Sequence, residues 1–139
     1  TQRYRRPFTV MSIDIDYFKK VNDTLGHEAG DKALISITDT ISSKIRNIDI
    51  FGRIGGEEFA IIFPEIGREE AYTVANRLLA GVSDNKIHIN GKELSVTISI
   101  GITTYDGGSD MTLEELIRKA DNAMYEAKRT GRNKVCFAA

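Results

Sequence analysis

The sequence predicts a single α+β domain on the βαββαβ pattern of a ferredoxin-like antiparallel sheet. Its 139 residues are about the length of one domain. With 41% hydrophobic and 28% charged residues, the chain holds enough apolar mass for one buried core. Short β-rich runs alternate with longer apolar stripes at helical spacing. We expect helices packed around this sheet, on one face as in the simple form of the scaffold, and an extra small hairpin.

The first strand and the first helix are predicted by two apolar patterns. Residues 8–16 form a β-rich run that breaks into charge, which indicates a buried strand with Asp14 and Asp16 at its carboxyl end. A glycine-containing loop around 26–30 is expected to follow. Apolar residues at steps of three and four then predict one long amphipathic helix over 34–48.

The middle of the chain predicts a hairpin, a helix and a tight turn. Two β-rich runs, 50–54 and 59–63, are separated by the two glycines and two glutamates of 55–58, which favours a hairpin with acids at its tip. An apolar stripe over 71–82 predicts a second helix. Asn-Gly at 90–91 is typical of the tight turn of a small hairpin.

The last third predicts a strand, a helix and a short closing strand. Apolar and small polar residues alternate strictly over 94–103, so the strand has one buried face and one small, polar face. Thr112 and Glu115 form a capping box that opens a helix over 113–127. A short β-rich run at 134–137 ends the pattern.

Charge and cysteine content exclude several classes of function. The chain has 19 basic and 20 acidic residues, so its formal net charge is −1. This balance argues against a polybasic DNA-binding or membrane-binding protein. The longest apolar run, 59–63, is far too short for membrane insertion. A lone Cys136 forms no internal disulfide or thiolate zinc cluster. We expect a cytoplasmic domain. This expectation is compatible with a parent protein that is anchored to a membrane through other domains.

Four acids mark the candidate site. Asp14 and Asp16 end the first strand, and Glu57 and Glu58 lie at the hairpin tip, so they converge if the hairpin lies beside that strand. Mg²⁺ prefers one or two carboxylates, several waters and a substrate's phosphates, which implies a nucleoside triphosphate. The alternative is that each pair of acids is simply solvated.

Two glycines and two cations have a structural and a functional interpretation. Gly55 and Gly56 either satisfy the turn's need for positive φ or let a substrate approach the backbone beside the acids, and both interpretations can hold together. Lys128 and Arg132 flank the end of the last helix. They either complement the helix dipole or hold a triphosphate, with lysine as a point charge and arginine as a planar fork.

The ordered motifs of the chain resemble the GGDEF family of diguanylate cyclases, in its GGEEF variant. The resemblance runs nearly end to end over about 120 residues. It is carried by Asp14-Ile15-Asp16-Tyr17-Phe18-Lys19-Lys20, Asn22-Asp23, Gly26-His27, Gly30-Asp31, Gly55-Gly56-Glu57-Glu58-Phe59, Ala127-Lys128 and Gly131-Arg132-Asn133.

This resemblance implies a polymerase-palm-like domain that joins two GTP molecules into cyclic di-GMP and releases two pyrophosphates. It further implies a homodimer in which each protomer holds one GTP. By similarity, Asp14, Glu57 and the Ile15 carbonyl bind catalytic Mg²⁺, for which Mn²⁺ is an expected substitute. Glu58 is an auxiliary ligand or a base.

The resemblance also assigns the substrate's other contacts. Asn22 and Asp31 match the family's guanine readers, and a carboxylate accepts from guanine N1–H and N2–H₂, which adenine lacks. Taken alone, Asn22 is equally a loop former and Asp31 a helix N-cap. The resemblance assigns binding of the phosphates to Phe18, Lys19, Lys128 and Arg132.

Arg46 and Asp49 are similar to the family's R-x-x-D inhibitory site, five residues before the glycine pair. In that interpretation Arg46 binds a phosphate of dimeric cyclic di-GMP and Asp49 accepts from a guanine, so the product inhibits its own synthesis. Without the family context, an arginine and an aspartate at this spacing indicate a surface ion pair.

The chain departs from the family at its start, because the usual D-x-L-T-G-L-x-N-R segment before the first strand is missing. We therefore interpret 1–139 as one GGDEF catalytic domain, N-terminally trimmed and excised from a larger protein with an upstream sensory or receiver domain. The cluster from Tyr4 to Arg6 is expected on a helix surface. The alternative function is a catalytically weak or inactive receptor for cyclic di-GMP or GTP.

Overall fold

A computed structural model describes residues 7–108 and 110–138, and the prediction for Tyr4 to Arg6 lies outside them. The described residues form seven strands and four helices. In chain order these are β1 (Phe8–Ile15), α1 (Phe18–Leu25), α2 (His27–Ser42), β2 (Ile50–Gly55), β3 (Glu58–Pro64), α3 (Arg68–Asp84), β4 (Ile87–Ile89), β5 (Lys92–Leu94), β6 (Ile98–Tyr105), α4 (Leu113–Arg129) and β7 (Val135–Phe137).

The main sheet has the strand order β2-β3-β1-β6-β7. The first four of these strands pair antiparallel, as the βαββαβ pattern predicts. The prediction of a purely antiparallel sheet is wrong at one edge, where β7 runs parallel to β6. A strand that returns from a crossover helix is free to pair this way, and α4 supplies that crossover.

Helices cover both faces of the sheet, so the one-face arrangement is wrong. On β1, Met11 belongs to the large core that also contains Ile37 of α2 and Leu78 of α3. Its neighbour Val10 belongs to a second core with Leu116 of α4. Successive strand residues point to opposite faces, and the central strands β1 and β6 are buried on both.

The small residues of β6 are explained by α4. A Cβ at Gly101 would lie 2.0 Å from the Ala120 carbonyl oxygen and 2.2 Å from the Met124 nitrogen. The face predicted as small and polar is therefore small because a helix backbone lies against it. The alternation over 94–103 is not one strand, since β5 ends at Leu94 and β6 begins at Ile98.

The prediction of a loop around 26–30 followed by one helix over 34–48 is wrong. Two helices, α1 and α2, occupy this part of the chain, and α2 ends at Ser42. Phe18, Val21 and Leu25 repeat at steps of three and four, and the first two are buried. Only Gly26, at φ 93°, interrupts the helical path, and α2 begins at once. The chain then leaves the helix after Ser42 and turns before β2.

The small hairpin and the last helix follow the prediction. Asn90 and Gly91 both have positive φ, 51° and 78°, as a tight turn between β4 and β5 requires. Thr112 caps α4 by accepting from the Glu115 N–H at 3.1 Å.

Among the described residues, no helix combines the length and the apolar character that crossing a membrane requires.

Candidate active site

The hairpin of β2 and β3 brings its acids to the carboxyl end of β1. Glu58 is the cross-strand partner of Asp14, and the Ile15 N–H donates to the Glu57 carbonyl at 3.3 Å. The predicted convergence of these acids is therefore confirmed for Asp14, Glu57 and Glu58. It follows from the antiparallel register, since β3 begins where β1 ends.

Asp14 is a buried acid whose one described polar contact at Oδ1 is an ion pair with a lysine. The residue is 8% exposed, and its Oδ1 lies 3.2 Å from the Lys128 Nζ on α4. Lys128 forms an ion pair with this oxygen, and within the described chain Oδ1 has no well-formed hydrogen bond. Burial raises the pKa of Asp14 to about 6, against the opposing effect of Lys128. Such an oxygen fits a site that takes a further cation.

Asp16 does not join this cluster. Its carboxylate accepts from the Thr97 and Ser99 hydroxyls, both at 2.7 Å, and from the Asn133 N–H at 3.0 Å. The residue is 2% exposed. Its charge lies close enough to raise the pKa of Asp14, but neighbouring donors occupy both of its oxygens.

Glu58 lies in a carboxyl pair that the sequence did not reveal. The Ser12 hydroxyl donates to Asp121 Oδ1 at 3.1 Å and lies 3.4 Å from Glu58 Oε1. The hydrogen bond and charge of Asp121, together with burial, raise the pKa of Glu58 to about 7. Asp121, Tyr125 and Lys128 follow one another at steps of four and three on α4, so they lie on one face of the helix. This spacing was the signal in the sequence that pointed to Asp121 as a neighbour of Lys128.

The acids alone do not form a complete metal cage. No three acidic, histidine or cysteine side chains in the described parts of the chain are placed to hold one ion. A Mg²⁺ here would therefore take ligands from carbonyls, water and phosphates as well, which is its usual preference. Asp14, Glu57 and the Ile15 carbonyl offer oxygen donors at one point.

A cleft of about 520 Å³ opens beside these acids. Four of the residues that line it are cationic and two are acidic. The cleft also includes the start of α1, where no side chain caps the helix and no acid lies in the first turn. Free N–H groups and the helix dipole make such a terminus suitable for an anion. The lining residues are Ile15, Tyr17, Phe18, Lys19, Lys20, Asp23, Glu57, Lys128 and Arg132.

Arg132 is presented to the cleft by a turn after α4. It has φ 63°, and its Cζ lies 4.6 Å from the centre of the Tyr17 ring. Its Nε is buried and has no hydrogen-bond partner among the described residues. Tyr17 itself has φ 58° and is a contact that sequence reasoning missed. The Arg132 guanidinium is therefore oriented by an aromatic face and retains an unused donor.

The glycines at the hairpin tip differ in their structural need. Gly56 has φ 44° and its carbonyl accepts from Arg53 Nε at 2.7 Å, so the turn requires it. A Cβ at Gly55 would meet nothing within 4 Å, and its φ is not positive. Turn geometry therefore explains Gly56 only, and Gly55 leaves open space beside the acids.

Asn22 and Asp31 lie inside helices. Asn22 is in α1 and Asp31 is the fifth residue of α2, so the alternatives of a loop former and an N-cap are both wrong. A Cβ at Gly30 would lie 1.8 Å from Asn22 Oδ1. Gly30 thus lets α1 and α2 approach closely at the predicted guanine readers.

Arg46 and Asp49 form an ion pair in the turn between α2 and β2. The Arg46 Nη2 donates to Asp49 Oδ1 at 2.7 Å and to the Pro64 carbonyl at 2.8 Å. This is the ion pair of the alternative interpretation, but only Arg46 is exposed, since the Asp49 side chain is 1% exposed. The pair lies at the opposite end of β2 from Gly55, away from the cleft.

Comparisons with known proteins point to one family. The family described as "Diguanylate cyclase, GGDEF domain" matches residues 1–134. Diguanylate cyclase A of Treponema denticola is 39% identical over 134 residues, which are 96% of this chain and 36% of that protein. The response regulator PleD of Caulobacter vibrioides is 43% identical over 131 residues, 93% of this chain and 29% of that protein. The chain thus spans about a third of the length of these relatives.

Solved structures share the fold. The diguanylate cyclase SiaD of Pseudomonas aeruginosa, in complex with its activator SiaC, has a TM-score of 0.92 and 37% identity over 99% of this chain and 52% of that one. An active GGEEF domain of a diguanylate cyclase from Vibrio cholerae has a TM-score of 0.88 and 32% identity over 97% of this chain and 85% of that one. The α+β, palm-like fold is therefore confirmed, and the chain belongs to the GGDEF family of diguanylate cyclases.

Proposed function

We propose that this chain condenses two GTP molecules into cyclic di-GMP and two pyrophosphates. The observation that carries the proposal is the cleft in which Glu57, Lys128, Arg132 and the start of α1 meet beside Asp14. Family membership supports the same reaction. In each half of it, the 3′-hydroxyl of one GTP attacks the α-phosphate of the other, and pyrophosphate leaves.

Asp14, the Ile15 carbonyl and Glu57 would hold Mg²⁺, or Mn²⁺ as a substitute. The buried Asp14 Oδ1, which has no well-formed hydrogen bond among the described residues, supports this assignment. The metal would polarise the α-phosphate, activate the 3′-hydroxyl and neutralise the departing pyrophosphate. Lys128, 3.2 Å from Asp14, would hold a phosphate next to that position.

The phosphates would be bound from two sides of the cleft. The N–H groups of Phe18 and Lys19 open α1 without a capping side chain. Lys128, near the end of α4, and Arg132, in the turn after that helix, line the same cleft. A helix N-terminus and two cations together balance the charge of a triphosphate. Arg132 would give its unused Nε donor to a phosphate oxygen.

Guanine would be read by Asn22 and Asp31 on the adjacent helices α1 and α2. A carboxylate at Asp31 accepts from N1–H and N2–H₂ of guanine and finds no such donors on adenine. Glu58, with a pKa raised to about 7, is suited to take the proton of the 3′-hydroxyl near neutral pH. The enzyme would therefore prefer GTP to ATP.

Catalysis would require a homodimer, because each protomer binds one GTP and the two nucleotides must meet face to face. We expect an upstream sensory or receiver domain of the parent protein to bring two copies together in the cytoplasm. In this proposal, residues 1–139 act as one catalytic domain. Cyclic di-GMP would also bind at Arg46 and Asp49 as an inhibitor, in competition with their ion pair.

The first test is product formation by the purified chain at low and high concentration. With GTP and Mg²⁺, we expect cyclic di-GMP to rise more than linearly with protein concentration and to vanish in Glu57→Ala. ATP in place of GTP is the specificity control. If a fused coiled coil forces dimerisation and still no product forms, the enzyme proposal fails and the receptor alternative takes its place.

A further inference from the structure

Asp16 is a buried carboxylate that the proposed chemistry does not use. It is 2% exposed, and its side chain accepts from three hydrogen-bond donors but has no cationic partner within residues 7–108 and 110–138. Burying a charge without a counter-charge is costly unless hydrogen bonds compensate it. The cost indicates that the three contacts do more than fill the core.

The three donors come from two segments that are far apart in the chain. Thr97 and Ser99 lie just before and within β6. The third donor is the backbone N–H of Asn133, 117 residues away in the chain, in the turn that carries Arg132. The Asp16 N–H also donates to the Thr97 carbonyl at 2.9 Å. Asp16 thus joins the end of β1 to the turn after α4.

That turn has a conformation that needs support. Arg132 and Asn133 are consecutive non-glycine residues in the left-handed region, at φ 63° and 48°. Such residues persist where surrounding contacts hold them. The Arg132 N–H is held by the Ala127 carbonyl at 2.9 Å, and the Asn133 N–H is held by Asp16.

We infer that Asp16 is a positioning residue that fixes Arg132 relative to the metal-binding end of β1. This rests on the proposed function, in which Arg132 binds the triphosphate. Asp14 and Asp16 are separated by one residue on the same strand end, so one rigid segment holds both the acid and the turn. Tyr17, the next residue, packs its ring against the Arg132 guanidinium, whose Cζ lies 4.6 Å from the ring centre.

The test is a double-mutant cycle on nucleotide binding. Binding of a non-hydrolysable GTP analogue is measured by calorimetry, with Mg²⁺ and with EDTA, for the wild type, Asp16→Ala, Arg132→Ala and the double variant. If Asp16 acts through Arg132, both single variants weaken binding about tenfold, and the double variant is little weaker than Arg132→Ala alone. Ser99→Ala is the matched control, because it removes one hydrogen bond to the same carboxylate without touching the turn.

Two further variants separate positioning from folding. Asp16→Asn keeps an acceptor for the Asn133 N–H and is expected to restore most of the binding. If thermal melting shows that Asp16→Ala does not fold, Asp16→Ser replaces it, since a serine hydroxyl is too short to reach that N–H.

Three results would overturn the inference. The first is additive losses for Asp16 and Arg132, and the second is wild-type binding by Asp16→Ala or its serine replacement. The third is normal binding by Arg132→Ala, which would also remove the assigned role of Arg132. Cyclic di-GMP formation by the wild type tests the cyclase proposal separately.

Discussion

Replacing Asp121 with asparagine is expected to change how the stability of the fold depends on pH. Asp121 is the main reason why the pKa of Glu58 rises from 4.5 to about 7. A carboxyl with a raised pKa in the folded state binds its proton more tightly there than in the unfolded chain. Its contribution to stability is therefore complete below pH 4.5 and is lost as the pH rises towards 7.

The magnitude follows from that change in pKa. At ~1.4 kcal/mol for each pH unit, full conversion would give about 3 kcal/mol. Glu58 is partly exposed, so solvent screening reduces the expected loss between pH 5 and pH 8 to about 1–2 kcal/mol. Asp121→Asn removes the largest cause, and we expect the loss to shrink by at least about half.

The assay is urea unfolding at pH 5, 6, 7 and 8 in EDTA without nucleotide. Asp14, whose pKa is also raised, remains in both proteins, so its effect cancels in the comparison. Glu93→Gln is the control, because Glu93 is an exposed acid on the β4–β5 hairpin. Parallel stability curves for the wild type and Asp121→Asn would refute the assigned coupling between Asp121 and Glu58.

Three other predictions address the metal, the α4 contact and the product site. Because the pKa of Asp14 is about 6, Mg²⁺ affinity measured by calorimetry with a GTP analogue should fall about tenfold from pH 7 to pH 5, and a constant affinity would exclude Asp14 as a ligand. Gly101→Ala, whose Cβ would lie 2.0 Å from the Ala120 oxygen, should lower the free energy of unfolding by about 3 kcal/mol; Gly52→Ala, with open space around it, should change it by less than about 0.5 kcal/mol, and equal losses would contradict the packing argument. Arg46→Ala should relieve inhibition by cyclic di-GMP in the product assay; because it takes the guanidinium away from the Asp49 side chain, which is 1% exposed, it should also lower the free energy of unfolding by about 1–3 kcal/mol. An unchanged inhibition constant would show that Arg46 is not part of the product site.

The elements predicted best are those whose signal is local. The hairpin of β2 and β3 and the end of β1 were predicted from short β-rich runs bounded by glycine or charge, and their pairing brings Asp14 and Glu58 together. Thr112 and Glu115 likewise predicted the start of α4 from a four-residue pattern. In each case the residues that define the feature are neighbours in the chain.

The predictions that failed depend on contacts between distant segments. Asp16 and Asn133 are far apart in the sequence, so their hydrogen bond has no local pattern. The same holds for Asp121 beside Glu58, and for Gly101, which reads as one polar position in an alternating strand until α4 is placed against it. The missed helix α1 is different, because Phe18, Val21 and Leu25 carried its periodicity and the glycine at 26 favoured a loop instead.

These distant contacts converge on one helix. Along α4, Asp121 approaches Glu58, Lys128 pairs with Asp14, and the turn that follows is held by Asp16. All three contacts involve residues at the carboxyl end of β1 or at the start of β3. The close approach at Gly101 sets the distance between α4 and the sheet. A small shift of α4 along β6 would therefore displace the Lys128 ammonium, the Arg132 guanidinium and the Glu58 partner together. In the proposed enzyme, packing at Gly101 thus determines the spacing between the metal ligands and the phosphate ligands, although no atom of Gly101 lies in the cleft.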